Sequence, residues 1–271
     1  QGAATGQSVR NMSNPFDFVG RAILITGGSR GIGRGIAEAF LAAGAKVAVC
    51  GRTEPDELPS AGGNKASFVS ADVRDSKQVE KMVDETVERL GQLDVLVNNA
   101  GGAPFAEAAT ASPRFSEKII QLNLTAALHC AQQANRIMQA QESGGSIVNI
   151  ASVSGLRPSP GTAAYGAAKA GLINLSGTLA IEWAPKVRVN SIAAGLIRTE
   201  QAHLHYGDGD GISRVARTVP LQRLGTPDDV AGACMFFASA LASYVSGANL
   251  VLHGGGETPA FISAASVNQG D

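Results

Sequence analysis

Tyr165-Gly-Ala-Ala-Lys169 carries two side chains four residues apart, so a helix would set both on one face. A free phenol loses its proton near pH ~10. An ammonium beside it stabilises the phenolate and draws that value down. Such a tyrosine can give a proton to a ketone oxygen, or take one from an alcohol, near neutral pH. The pair alone is a common accident of sequence. It gains weight from Asn98-Asn-Ala-Gly101, from Asn123 and from Ser152, polar groups that follow or interrupt apolar runs upstream.

A second centre lies near the start of the chain, in Ile25-Thr-Gly-Gly-Ser-Arg-Gly-Ile-Gly33. Gly27 permits a tight turn, Gly31 lets the backbone approach a pyrophosphate, and Gly33 lets helix and strand pack closely. The helix start, with Ser29, Arg30 and Ile32 around it, offers free N–H groups and a partial positive charge to phosphates. This predicts a nicotinamide dinucleotide. A carboxylate about 20 residues beyond the turn would hold the ribose 2′-hydroxyl of NAD(H). Gly51 and Arg52 stand there instead. Arg52, helped by Arg30, suits a 2′-phosphate, and the alternative is two solvated arginines. NADP(H) is therefore favoured over NAD(H).

The elements that must position these groups alternate. Apolar runs at 21–25, 46–50, 66–71, 93–97, 146–151, 187–192 and 250–252 predict seven strands. Helical spacing marks 31–43, and a further stripe from Val79 to Leu90 lies between an apparent capping box at Asp75–Gln78 and a stop at Gly91. One or two helices are expected over 115–141, a long one over 163–184, and another from Thr226-Pro227. Residues 54–65 read as a loop, and 199–219, with its Asp208-Gly-Asp-Gly211 tip, as a mobile segment. The expected fold is α/β: a single-domain Rossmann fold, a doubly wound seven-stranded parallel sheet with helices on both faces. Residues 1–17 read as a flexible tail, 18–256 as the dinucleotide-binding and catalytic domain, and 257–271 as a C-terminal tail.

TGGSRGIG, NNAG, a serine thirteen residues before the tyrosine, YGAAK and NSIAAGLIRT stand in one order along the chain. In that order and spacing the chain resembles the short-chain dehydrogenase/reductase family over about residues 18–256, with a layout like its β-ketoacyl carrier-protein reductase branch. The resemblance implies hydride transfer between NADP(H), or NAD(H), and a secondary alcohol or ketone. It implies that Tyr165 moves the proton, that Lys169 lowers the phenol's pKa and holds the nicotinamide ribose, and that Ser152 binds the substrate oxygen. Ser154 is a rival that the spacing disfavours. Asn123 would support a water relay behind Lys169. Asn99, Ala100 and Gly101 would line the cofactor, Asp72 and Val73 would meet the adenine, and Ile197 and Thr199 would reach the carboxamide. Ala194-Gly195 replaces the family's usual Pro-Gly, and His253-Gly-Gly its frequent Asp-Gly-Gly, so local contacts there are in doubt but no catalytic group is lost. A catalytically silent NADP(H)-binding sensor is the alternative, disfavoured by the intact Asn, Ser, Tyr and Lys set.

Composition narrows the partners. With 22 basic and 23 acidic residues the net charge is -1, which argues against nucleic acid and against a polybasic membrane contact. No apolar run is long enough to span a bilayer. The first residues have no apolar core, so no signal peptide is expected. Cys50, Cys130 and Cys234 are odd in number and far apart, which predicts reduced thiols, a cytoplasmic protein and no metal. His203 and His205, with Tyr206, either line a substrate pocket or are exposed on a lid. Trp183 reads as packing. The 163–184 helix is apolar or small nearly all round, and a partner subunit is one way to cover it. The family resemblance points the same way, to a homotetramer or dimer.

Overall fold

The computed structural model describes residues 14–265. Residues 1–13 and 266–271, parts of the two expected tails, lie outside the described residues. One sheet holds seven strands: β1 (Ala22–Thr26), β2 (Lys46–Gly51), β3 (Ser67–Ser70), β4 (Val95–Asn98), β5 (Gly145–Ser152), β6 (Val187–Ala194) and β7 (Asn249–Leu252). The helices are α1 (Gly31–Ala42), α2 (Ser76–Leu90), α3 (Pro113–Ile120), α4 (Ala126–Ala140), α5 (Ala163–Glu182), α6 (His203–Tyr206), α7 (Gly209–Thr218), α8 (Pro227–Ala238) and α9 (Ala260–Ala264).

Strand order is β3-β2-β1-β4-β5-β6-β7, with every pairing parallel. Leu24 of β1 pairs with Ala48 on one side and Leu96 on the other. The chain winds outward from β1 to β3, then returns to start again at β4. A crevice opens where that direction reverses, beyond the carboxyl ends of β1 and β4.

Period-two alternation sorts the strand residues onto two faces. Ile23, Ile25, Val47, Val49, Val95 and Val97 join one core with Ile36 and Phe40 of α1 and Val230 and Phe237 of α8. Leu24, Ala48, Leu96, Ile147 and Val189 join the other with Val79 and Met82 of α2, Ala134 and Met138 of α4 and Leu179 of α5. Each large apolar side chain buried this way contributes about 1.5–3 kcal/mol. Burial on both faces is why the strands read as near-continuous apolar runs. Trp183 packs at the edge of the second core.

The helix ends follow local chemistry. Asp75 accepts from the backbone N–H groups of Lys77 and Gln78, and Gly91 closes α2 with φ +90°. The Asp75–Gln78 capping box is only half made, because Gln78 Oε1 accepts from the N–H of Asp72, at 2.9 Å. The complete box is at Thr226, where Asp229 Oδ2 accepts from the Thr226 N–H at 2.7 Å.

Two expectations change and two are refined. Within 54–65, Ser60–Ala61 and Asn64–Lys65 pair as a short antiparallel hairpin. The 115–141 region is one helical run from α3 to α4 through a π-helical turn at Gln121–Thr125. The segment expected to be mobile folds into α6 and α7, because Asp208 caps α7 by accepting from the Gly211 N–H at 2.9 Å. The described part of the C-terminal tail carries α9, and Glu257 ion-pairs with Arg157. Among the described residues no helix is long and apolar enough to cross a membrane.

Candidate active site

The ends of β1 and β4 are tied together where the crevice begins. Thr26 Oγ1 accepts from the backbone N–H groups of Asn99 and Ala100, each at 3.0 Å. Asn99 returns the tie, donating Nδ2 to the carbonyls of Thr26 and Gly27 at 3.0 and 3.1 Å. Asn99 therefore clamps the glycine turn from behind. Gly27 and Gly31 have φ of +64° and +53°, a region a Cβ makes costly. A Cβ on Gly33 would lie 2.3 Å from the Gly27 carbonyl oxygen, inside contact distance. Two glycines thus serve the turn and the third serves the close approach. Ser29 and Ile32 are half-buried beside it, and Arg30 is exposed. A helix starting on such a turn leaves its first N–H groups for an anion, and this cradle fits a pyrophosphate.

Arg52 stands exposed just past β2, and no ion pair engages it or Arg30 among the described residues. Asp72 lies past the end of β3 and pairs with Arg74 at 2.5 Å. That hydrogen-bonded guanidinium holds the Asp72 carboxyl below the usual carboxylate range, with Arg52 adding a smaller pull. Val73 is buried. At the far side of the crevice Ile197 is buried and bridges Gly225, while Thr199 lies against Gly31.

The proton-handling groups gather where α5 passes the end of β5. Ser152, the last residue of β5, hydrogen-bonds the side chain of Tyr165. Ser154 Oγ instead accepts from Ser159 Oγ at 3.1 Å, which leaves Ser152 as the serine on the tyrosine. Lys169 is buried, with Nζ donating to the Ile150 carbonyl at 2.8 Å and lying 5.6 Å from the Tyr165 ring centroid. Burial lowers the Lys169 ammonium to about 8. The Tyr165 phenol moves up from its ordinary value, with burial the largest cause and the Ser152 hydrogen bond opposing it. The expectation that Lys169 draws the phenol down is therefore not met by the protein's own groups. The ammonium is aimed at Ile150, not at the phenol oxygen.

Asn123 is fully buried in the π-helical turn. Its Nδ2 donates to the carbonyls of Ile119 and Gly102, and its Oδ1 accepts from the Gly102 N–H at 2.8 Å. Gly101 fits beneath it: a Cβ there would lie 2.6 Å from Asn123 Oδ1 and 3.2 Å from Lys169 Nζ. The extra residue of the π turn swings Asn123 inward, a common use of such turns at functional positions.

Sequence reasoning missed several supports. A buried chain runs from Asn98 Nδ2 to Asn149 Oδ1 at 2.9 Å, then from Asn149 Nδ2 to Ser176 Oγ at 2.9 Å, bracing β4, β5 and α5. Polar residues inside apolar runs were the available signal. Phe105 covers Gly161, and Ala106 donates its N–H to the Gly161 carbonyl at 2.8 Å, so residues 102–112 cross the loop before α5. Tyr206 is half-buried, and its phenol is raised first by burial and then by the charges of Glu257 and Tyr165. Tyr206 is close enough to Tyr165 for their charges to interact. His203 is exposed, with Nδ1 donating to the Glu200 carbonyl, and the His205 side chain lies outside the described residues. His253 lies against Gly195, which has no room for a Cβ.

Comparison with known proteins finds relatives along most of the chain. The family model described as enoyl-(acyl carrier protein) reductase matches residues 27–257. The chain is 38% identical over 246 residues to the 3-oxoacyl-[acyl-carrier-protein] reductase FabG of Chlamydia muridarum, covering 88% of this chain and 98% of that protein. It is 36% identical over 248 residues to an L-rhamnose 1-dehydrogenase (NAD(P)(+)) of Azotobacter vinelandii, covering 88% and 97%. The solved structure of a short-chain type dehydrogenase/reductase from Mycobacterium marinum superposes with a TM-score of 0.81 at 34% identity, covering 90% of this chain and 98% of that one.

Proposed function

Because this chain belongs to the short-chain dehydrogenase/reductase family of oxidoreductases, we propose that it moves a hydride between NADP(H) and a secondary alcohol or ketone, with Tyr165 as general acid and base. The observation that carries this reading is the meeting of Ser152, Tyr165 and Lys169 at the carboxyl end of β5, beside the glycine cradle. The dinucleotide, when bound, supplies or accepts the hydride. Gly27, Ser29, Arg30, Gly31, Ile32 and Gly33 would hold its phosphates, with Arg52 on the 2′-phosphate. Asp72 and Val73 would meet the adenine, Asn99, Ala100 and Gly101 would form the wall, and Ile197 and Thr199 would take the carboxamide. Tyr165 and Lys169 would hold the nicotinamide ribose.

Ser152 hydrogen-bonds the substrate oxygen and aligns it with the phenol. In reduction Tyr165 passes its proton to that oxygen as the carbonyl carbon becomes a carbinol. The phenolate left behind is stabilised by the buried ammonium of Lys169, whose charge is strong in so dry a place. Asn123 fixes the Gly102 backbone, and a water relay behind Lys169 would return the proton. In oxidation the same steps run backward.

The relatives act on acyl thioesters and on a sugar, so both substrate classes belong in a first screen. Exposed Ile181, Tyr244, Leu250 and Val251 favour a second copy of the chain over the β7 edge, and a homotetramer or dimer is proposed. We place the protein in the cytoplasm, because all three cysteines are free thiols in this fold. Reduction of 3-oxoacyl thioesters and ketones with NADPH, and oxidation of aldoses with NADP+, tests the reading. Absence of any dinucleotide-dependent turnover across that panel would remove it.

A further inference from the structure

Helix α1 begins with no acidic residue in its first turn, and its N-cap, Arg30, makes no side-chain cap. An anion reaches its end from elsewhere. Gly31 donates its backbone N–H to Glu200 Oε1 at 3.0 Å, although the two residues are 169 positions apart. The start of a helix carries about half a positive charge, which stabilises a carboxylate. The same amide end is the seat of the pyrophosphate in the proposed function. Two anions cannot share it.

Glu200 is exposed, so water can take its carboxylate when it leaves. An open cavity of about 500 Å³, bordered by Thr199, His203, Ile212 and Pro227, gives it room to move. The residue sits on a compact turn. Ala202 donates its N–H to the Thr199 carbonyl at 3.0 Å, and His203 Nδ1 donates to the Glu200 carbonyl at 3.0 Å. That turn leads directly into α6, whose Tyr206 is close enough to Tyr165 for their charges to interact.

We propose that Glu200 is a built-in competitor for the dinucleotide: its carboxylate holds the start of α1 until the pyrophosphate displaces it, and its release loosens the turn that carries Tyr206. This role rests on the proposed dinucleotide site. It makes cofactor arrival a signal to the wall of the substrate pocket. Glu200 is thereby a specificity-setting residue for cofactor affinity rather than a catalytic one.

The test is calorimetric titration of the wild type, Glu200→Gln and Glu200→Ala with ADP-ribose, which has the pyrophosphate but no nicotinamide, and with adenosine, which has no phosphate. Both variants should bind ADP-ribose about two- to fivefold tighter, the range expected for removing one exposed anion from a helix start. Adenosine should bind all three alike. Equal or weaker binding of ADP-ribose by both variants overturns the competitor. If no protein of the three binds ADP-ribose or NADPH, the dinucleotide reading itself fails and takes this role with it. Hydrogen exchange over residues 199–206 tests the coupling. It should quicken when ADP-ribose saturates the wild type and be already quick in free Glu200→Gln, and unchanged exchange in the wild type overturns the coupling.

Discussion

Lys169 lies one helical turn beyond Tyr165, its Nζ 5.6 Å from the tyrosine ring centroid, yet its hydrogen bond goes to the Ile150 carbonyl at 2.8 Å. The ammonium is buried and has no carboxylate partner among the described residues. A charge kept in that state costs stability, and in the proposed function the site retains it for the phenolate that would form during turnover.

Removing the charge should therefore stabilise the fold while abolishing activity. Burial lowers Lys169 in the folded chain to about 8, against an ordinary value of 10.5. Below about 8 both folded and unfolded chains carry the proton, and the folded chain bears the whole desolvation cost. Between the two values the unfolded chain binds more protons, so wild-type stability rises with pH. Lys169→Met should raise Tm at pH 7, at about 2–4 °C per kcal/mol for a chain of this size. That advantage should shrink as pH climbs from 8 toward 10.5. Thermal unfolding of both proteins across this range checks it, and a gap independent of pH would contradict the burial argument.

Tyr165→Phe keeps the ring and its packing and removes the hydroxyl that carries the proton. The turnover number should fall by about 10²–10⁴-fold, the usual worth of a placed general acid. Dinucleotide affinity should stay within about twofold, since phosphate contacts dominate it. Ser152→Ala should give a smaller loss of about 10–100-fold, because a neutral hydrogen bond is worth about 0.5–1.5 kcal/mol and its loss also misaligns the substrate. Steady-state kinetics with a fluorescence titration separates the two quantities. A phenylalanine variant within threefold of wild type would remove Tyr165 from the mechanism.

Legibility in the sequence follows how local each constraint is. The glycine turn and the Tyr165–Lys169 pair are contiguous, so their geometry is set by one turn and one helix. The strand pattern was readable because both faces of the sheet are buried. By contrast, α6 and α7 have few buried positions, and the Asp208 cap that starts α7 looks the same as a flexible Asp-Gly tip. The upward shift of Tyr165 is not legible locally, because it depends on burial, which is set by residues far along the chain. The inward turn of Asn123 depends on pairing with Gly102 across 21 residues. Glu200 at Gly31 is the extreme case, a contact across 169 positions.

The choice between cofactors falls on Arg52. It is exposed and forms no ion pair among the described residues, so a substitution there should leave the fold alone. Arg52→Asp replaces a phosphate partner with an anion that suits a ribose 2′-hydroxyl. NADPH binding should weaken about tenfold or more, as expected for losing a charged hydrogen bond and adding repulsion, while NADH binding holds or tightens. Paired titrations with the two reduced cofactors decide it. NADPH affinity unchanged in the variant would mean that Arg52 is only a solvated surface group.

The glycines themselves supply a matched pair of stability tests. A Cβ on Gly33 would meet the Gly27 carbonyl oxygen at 2.3 Å and Asn99 Nδ2 at 2.5 Å. Neither can retreat, because Asn99 is itself bonded to the turn. Gly33→Ala should push α1 off β1, cost about 1–3 kcal/mol as overpacked sites do, and weaken dinucleotide binding. Gly232 lies mid-way along α8, exposed, and a Cβ there would meet nothing within 4 Å. Gly232→Ala should therefore stabilise by about 0.4–1 kcal/mol, through the entropy it removes from the unfolded chain. Denaturant unfolding of the two variants beside the wild type reads both signs. If Gly33→Ala matched the wild type in stability and in dinucleotide affinity, the close approach of helix to strand would not be what demands glycine there.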